Sequence, residues 1–200
     1  MGALRSVRPV TGFTLIELLV TLAVAAIVIG LAVPSFQAVV NGNKLTTAAN
    51  EMVASLQVAR MEAVRRNRRG VVCASANANA GTDATCASAG VDGWITFIDE
   101  NNDGDFDKVG DTLLRASLLE QAVVMDASPA VGDEVVFRPD GLALVADTGT
   151  GTDLLDGAIS FCIPTTRPTA NQRILEIASG SAIQVTQNDG GGACDAPADP

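Results

Sequence analysis

The chain has 200 residues, with 13 Lys and Arg against 23 Asp and Glu, and a formal net charge of −10 at pH 7. It contains no His, which removes the commonest general base and the commonest metal ligand. An acidic surface of this kind repels phosphate backbones, so the composition argues against nucleic-acid binding.

The first predicted element is an apolar segment, residues 13–34, which follows a basic leader, residues 1–12. As a helix, about 20 apolar residues reach roughly 30 Å, the thickness of a bilayer core. A secretory signal peptide is the alternative, but its apolar region is shorter and ends in a small-residue cleavage site that is absent here. We therefore predict a transmembrane helix.

Glu17 is the one charged residue of this segment. A carboxylate inside hydrocarbon is energetically costly, and such a residue therefore marks a function. A plain signal anchor would explain neither Glu17 nor a leader as short as residues 1–12.

The second predicted element is an amphipathic helix over residues 35–70. Pro34 is expected to end or kink the apolar run, after which apolar residues recur at helical spacing from Phe36 to Ala63. The helix is predicted to end near Gly70, after the arginines Arg65, Arg66, Arg68 and Arg69. We interpret these as favourable charge at a helix carboxyl end; contact with acidic partner subunits and nucleic-acid binding are the alternatives.

Residues 71–200 are predicted to form a strand-rich head, because short apolar runs alternate with Gly, Asp, Asn and Pro. Asp140-Gly141 predicts a tight hairpin, and Ser179-Gly180 predicts a second one. The fold class is therefore α+β, with a long helix packed on an antiparallel sheet. The predicted strands are Val71–Ala74, Trp94–Ile98, Thr112–Leu118, Val123–Met125, Glu134–Arg138, Leu142–Val145, Ile159–Ile163, Arg173–Ile177 and Ala182–Thr186.

The four cysteines, Cys73, Cys86, Cys162 and Cys194, all follow the apolar segment. An even number beyond a membrane anchor is typical of disulfides in an oxidising compartment such as the bacterial periplasm. Zinc and redox sites favour closely spaced cysteine pairs, which are absent. The sequence leaves three connectivities open, and we predict the sequential one, Cys73 with Cys86 and Cys162 with Cys194.

An acidic segment, residues 99–107, places oxygen ligands at alternate positions around Gly104, as the first part of a calcium loop does. The bidentate Glu of such a loop is missing, because its position is taken by Gly110. We favour a plain hairpin loop, in which Asn and Asp form tight turns, and keep calcium binding as the alternative. The candidate ligands are Asp99, Asn101, Asp103, Asp105 and Asp107.

Enzymatic chemistry finds no support in the sequence. The carboxylates accompany neither a nucleophile–base pair nor a phosphate-binding Gly loop. We expect no catalytic residue, no small-molecule substrate, and no cofactor apart from the calcium candidate.

The segment Gly12-Phe13-Thr14-Leu15-Ile16-Glu17 resembles the type IV pilins and the type II secretion pseudopilins. The resemblance implies that a prepilin peptidase cuts after Gly12 and methylates the new terminus at Phe13. It also implies a lollipop-shaped subunit anchored once in the inner membrane, with its head in the periplasm until it joins a pilus or pseudopilus. Glu17 would then meet the terminal amine of a neighbouring subunit, although pairing within one chain is also possible, since the two residues are one helical turn apart.

Later motifs resemble the FimT/FimU/GspH group. They are Ala59-Arg60-Met61-Glu62-Ala63, Gly93-Trp94 and Phe137-Arg138-Pro139-Asp140-Gly141. Pro34 and the cysteines favour the pilus branch, so the resemblance implies a FimU-like minor pilin at a pilus tip, working with other minor and major pilins. A pseudopilin H of a type II secretion system is the alternative. A FimT-like receptor for DNA uptake is a third reading, but Gly180-Ser181-Ala182-Ile183 stands where DNA receptors carry Gly-Arg-x-Arg.

Overall fold

A computed structural model describes residues 12–145 and 153–200, with residues 31–34 described by backbone alone. The predicted leader, residues 1–12, lies outside the described residues except for Gly12. The described residues divide into two compact units, those up to residue 37 and those from residue 38 onward.

The helix α1 spans Leu15–Arg66 and so enters both units. Of the two effects expected of Pro34, an end to the helix is wrong, because α1 is continuous through it, and a kink stays a prediction. A proline removes one N–H from the helical ladder, and the other hydrogen bonds of so long a helix keep it intact.

The helix ends at Arg66, four residues before the predicted end at Gly70. Asn67 takes a left-handed conformation, with φ of 55°, and the N–H of Arg68 donates to the carbonyl of Ala63 at 3.2 Å. This is a Schellman cap with Asn in the place usually taken by Gly.

Each predicted strand has a counterpart in the structure, with ends that differ by up to two residues. A short 3₁₀ helix, Ala78–Asp83, lies between the first two strands. The strands are β1 (Arg69–Ser75), β2 (Gly93–Asp99), β3 (Thr112–Leu118), β4 (Val124–Ala127), β5 (Glu134–Phe137), β6 (Ala143–Leu144), β7 (Gly157–Cys162), β8 (Gln172–Ala178) and β9 (Ala182–Asn188).

The strands form two antiparallel sheets rather than the single predicted one. One sheet has the order β3-β2-β1-β5-β6 and the other the order β4-β7-β8-β9. The head is thus α+β, as predicted, with α1 covering strands of both sheets.

The main core lies between α1 and the two sheets. The helix contributes buried apolar residues at helical spacing, and the sheets contribute Trp94 and Phe137 on one side and Phe161 and Leu175 on the other. The rings of Trp94 and Phe161 are 5.8 Å apart, so the two sheets meet beneath the helix. The buried apolar residues of α1 are Leu45, Ala48, Ala49, Met52, Leu56, Ala59 and Ala63.

Gly70 permits the close approach of β1 to this helix. A Cβ placed on Gly70 would lie 2.4 Å from the carbonyl oxygen of Ala59. A side chain at this position would therefore push the strand away from the helix.

Candidate functional site

The amino-terminal end of α1 combines exposed apolar side chains with one carboxylate. Phe13 is 88% exposed, and the apolar residues that follow it as far as Ile29 are exposed as well. By length and composition, α1 is the one helix of the described residues that could cross a membrane. Within the described residues, none of the most apolar window of this helix is buried.

Thr14 begins this helix, a role that sequence reasoning missed. Its hydroxyl oxygen accepts a hydrogen bond from the backbone N–H of Glu17 at 3.3 Å. Thr14-Leu15-Ile16-Glu17 has the residue pattern of a capping box, which satisfies N–H groups that have no helical partner. Glu17 therefore also has a local role, because a negative charge in the first turn interacts favourably with the positive end of the helix dipole.

The arginine cluster at the other end of α1 is engaged within the head. Arg65 and Arg66 both bind Glu62, at 2.6 and 2.8 Å. These hydrogen bonds lower the pKa of the Glu62 carboxyl to about 2. Arg65 and Arg66 thus form a compact ion-pair network with Glu62 on the last turn of the helix. Their position agrees with the interpretation that they are favourable charges at a helix carboxyl end.

The remaining two arginines reach the acidic loop that joins β2 to β3. Arg68 Nε lies 3.1 Å from Glu100 Oε2, and Arg69 Nη1 donates to the carbonyl of Asn102 at 3.4 Å. The cluster therefore attaches this loop to the end of the helix.

The acidic loop is built from hydrogen bonds between its own side chains and backbone. Buried Asp99 accepts from the N–H groups of Asn102 at 2.6 Å and Gly104 at 3.1 Å. Asp111 likewise accepts from Glu100 and Asp107, at 2.9 and 2.8 Å. Two Asp side chains, one at each end of the loop, thus hold its backbone by accepting N–H groups.

Three of the calcium candidates lie together, because Asn101 Nδ2 donates to Asp103 Oδ2 at 2.7 Å and to Asp107 Oδ2 at 3.1 Å. Asn101 and Asp103 also accept loop N–H groups, and no three His, Cys, Asp or Glu residues of the described chain come together to hold a metal ion. Burial is the main cause that raises the pKa of the Asp99 carboxyl. Calcium binding by Asp99, Asn101, Asp103, Asp105 and Asp107 stays an untested alternative to the plain hairpin loop.

Glu134 is an acidic residue that sequence reasoning did not single out. Its Oε1 lies 3.4 Å from the position of a Cβ on Gly104, so the carboxyl is beneath the acidic loop. Burial, followed by the charges of Asp105 and Asp99, raises the pKa of Glu134 to about 7. The position follows from the pairing of β5 with β1, which places Glu134 opposite Cys73, and a local pattern could not show this.

Two disulfides hold the head together, in the sequential pairing. Cys73 is bonded to Cys86 and Cys162 to Cys194, each with Cα atoms 5.6 Å apart. The second bond attaches the carboxyl-terminal tail to β7. Asn171 supports it by donating to the carbonyl of Ala193 at 3.1 Å.

Arg173 is buried without an ion pair among the described residues. It is 7% exposed, and its Nη1 donates to the carbonyls of Ala170 and Gln172 at 3.1 and 3.0 Å. Burial lowers its pKa. Its charge is therefore enclosed, whereas Arg167 nearby is exposed on the loop before β8.

Two models of known protein families match the chain. The family model "Type II transport protein GspH" matches residues 48–191, and the model "Prokaryotic N-terminal methylation motif" matches residues 8–33. None of the curated protein sequences compared with the chain matches it.

Two solved structures are similar, both of the type IV minor pilin FimU from Pseudomonas aeruginosa, in different crystal forms. The first is 23% identical, with 72% of this chain and 89% of that chain covered and a TM-score of 0.46. The second is 24% identical, with 71% and 92% covered and a TM-score of 0.44.

Proposed function

Because the chain belongs to the GspH family of membrane-anchored pilins and pseudopilins, we propose that it is a FimU-like minor pilin at the tip of a type IV pilus. Its precursor would be anchored in the inner membrane with the head in the periplasm. The two disulfides fit that compartment, which is oxidising.

One observation carries this proposal. The N-terminal methylation motif, residues 8–33, includes the exposed apolar residues of α1 from Leu15 to Ile29. An apolar helical surface of this size requires a bilayer or other helices around it. A subunit that moves from a membrane into a filament meets these two environments in turn.

The proposed processing produces the positive charge that would pair with Glu17 during assembly. Cleavage of the Gly12–Phe13 peptide bond by a prepilin peptidase leaves an amine at Phe13, and methylation keeps its positive charge. An ammonium and a carboxylate offset each other's desolvation when they pair in good geometry. We propose that the Phe13 amine of one subunit pairs with Glu17 of the next, which would make neutralisation of both charges depend on docking.

A pseudopilin of a type II secretion system is the second candidate, supported by the description of the matching family model. Pro34 and the cysteines resemble the pilus branch of the family and therefore favour a pilin over a pseudopilin. A DNA receptor is less well supported, because the arginines of the cluster bind Glu62, Glu100 and Asn102 within the head.

The test is to find the mature chain. Surface filaments sheared from the bacterium that carries it should contain a chain that begins with N-methylated Phe13, as read by mass spectrometry. Replacement of Gly12 by Val should leave a full-length chain in the membrane and none in the filaments. A chain found only in the cell envelope, and required for protein secretion, would favour the pseudopilin; a terminus other than methylated Phe13 would contradict both.

A further inference from the structure

Strand β9 forms an open edge of the second sheet. It pairs with β8 over seven consecutive residues, Ala182 to Asn188, without a register shift. In the sheet order of the described strands, nothing pairs with its other side. Backbone N–H and C=O groups along such an edge are a template for another strand.

The other three edges in the described sheets are shielded or short. β6 has two residues, and the 3₁₀ helix Ala78–Asp83 packs against β3. β4 has four residues, and the carboxyl-terminal tail lies beside it: Ala196 lines the same groove as Asp126, and Asp199 accepts a hydrogen bond from the N–H of Ala130. β9 is the long edge that remains.

The sequence of β9 contains none of the residues that protect an edge. Proteins commonly place Lys, Pro or a bulge on a free edge to prevent pairing. β9 reads Ala-Ile-Gln-Val-Thr-Gln-Asn, with no charge and no proline, and Val185 is 40% exposed. This edge is therefore able to accept a strand.

Charges at the two ends of β9 specify the chemistry of an incoming strand. Arg60 Nη1 donates to the carbonyl of Ser181, immediately before β9, and Asp189 follows its last residue. Neither Arg60 nor Asp189 is in an ion pair with a described residue. A complementary strand is uncharged in its middle, acidic at the Arg60 end and basic at the Asp189 end.

A second copy of the chain is a poor occupant. Each copy carries a net charge of −10, so two copies repel each other. A symmetric β9–β9 pair would also close a dimer, whereas a filament needs contacts between different surfaces. We propose that β9 docks an extended strand of a different, less acidic pilin subunit; this rests on the proposed function.

The experiment uses the full chain in its own bacterium. A photo-crosslinking amino acid is placed at Gln187 on β9, and at Leu118 on the edge strand β3 as a matched control, 52% exposed. In parallel, Val185→Lys adds a protecting charge to β9, and Leu118→Lys adds the same charge to β3. Crosslinks, the filament-bound fraction and the membrane level of each variant are measured.

We expect Gln187 to crosslink to another pilin subunit and Leu118 not to do so. Val185→Lys should lower the filament-bound fraction about tenfold at an unchanged membrane level, the change that a loss of about 1.4 kcal/mol produces. Leu118→Lys should leave it unchanged.

Three results would overturn the inference while the wild-type chain is present in filaments. They are no crosslink at Gln187, a crosslink between two copies of this chain, and an equal effect of the two lysine variants. If Val185→Lys is degraded, the crosslink alone decides. If the wild-type chain enters no filament, the proposed function fails and this inference fails with it.

Discussion

The indole Nε1 of Trp94 donates a hydrogen bond of 2.9 Å to Ser55 Oγ, and both side chains are buried. Trp94 is on β2 and Ser55 is on α1, so this bond joins the helix to the first sheet inside the core. It gives the polar end of the largest core side chain a partner, as buried Trp residues require.

Replacement of Ser55 by Ala should therefore destabilise the head. The indole N–H would remain buried without an acceptor, at a cost of about 1–3 kcal/mol. Chemical denaturation of a soluble fragment, residues 38–200, measures the difference. Thr46→Ala is a suitable control, because Thr46 is exposed and bonds only to the carbonyl of Gly42; equal losses in the two variants would show that the Trp94 bond is unimportant.

The helix should tolerate charge differently along its length. Leu56 is fully buried, so Leu56→Asp should unfold the same fragment, because an unpaired charge enters the core. Val39 is 58% exposed, so Val39→Asp should leave the fragment folded and reduce assembly of the full chain. Thermal melts and filament content measure these effects. Similar losses of stability at both positions would contradict the assignment of Leu56 to the core and of Val39 to the assembly surface.

Glu17→Gln separates charge from helix capping. Gln is as acceptable as Glu in a capping box, so the start of α1 should be retained while the charge is lost. We expect membrane insertion and cleavage after Gly12 to proceed, and incorporation into filaments to fall. Immunoblots of membrane and filament fractions show this, with Glu51→Gln as the control; assembly at the wild-type level would mean that the Glu17 charge is not needed for docking.

Glu134 should make the stability of the head depend on pH. Its pKa rises from 4.5 to about 7 on folding, so the folded state holds this proton more tightly than the unfolded chain does. The contribution is fully present below about pH 4.5 and is lost as the pH rises through about 7. Denaturation of residues 38–200 across this window should show a decline that Glu134→Gln reduces, whereas Glu120→Gln, on the exposed surface, should not; identical profiles would refute the role of Glu134.

Calcium should have little effect on the head. The carboxylates of Asp99 and Asp111 already accept loop N–H groups. We expect the melting temperature to be the same in millimolar calcium and in a chelator. A clear rise with calcium that Asp103→Asn or Asp105→Asn abolishes would show that the loop rearranges into a metal site.

Local sequence patterns were sufficient to predict most of the secondary structure. The change from helical spacing to short runs after Gly70 is visible in the sequence, and every predicted strand is present. The helix end was placed too late because Asn67, not Gly70, takes the left-handed conformation. Asn is a less frequent residue for this cap than Gly, and its role depends on the hydrogen bond from Arg68 to Ala63.

Features that depend on distant pairing were less visible. Glu134 is half-buried because β5 pairs with β1 and the acidic loop covers it, and neither relation is local in sequence. The partners of Arg68 and Arg69 lie in the same loop, more than 30 residues away. The division of the strands into two sheets likewise arises from pairings that alternation within one strand cannot indicate.

Strand β1 also has a mechanical consequence. A pull along α1 that frees the helix from the core is passed to β1, since the strand begins three residues after the helix ends. From Gly70 to Cys73, each residue of β1 is paired on both sides, with β2 and with β5. Extraction of the strand would have to break two ladders together, and it would then meet the covalent bond from Cys73 to Cys86. Strand β1 is thus the part of the head that resists such a pull once the core contacts of the helix are lost.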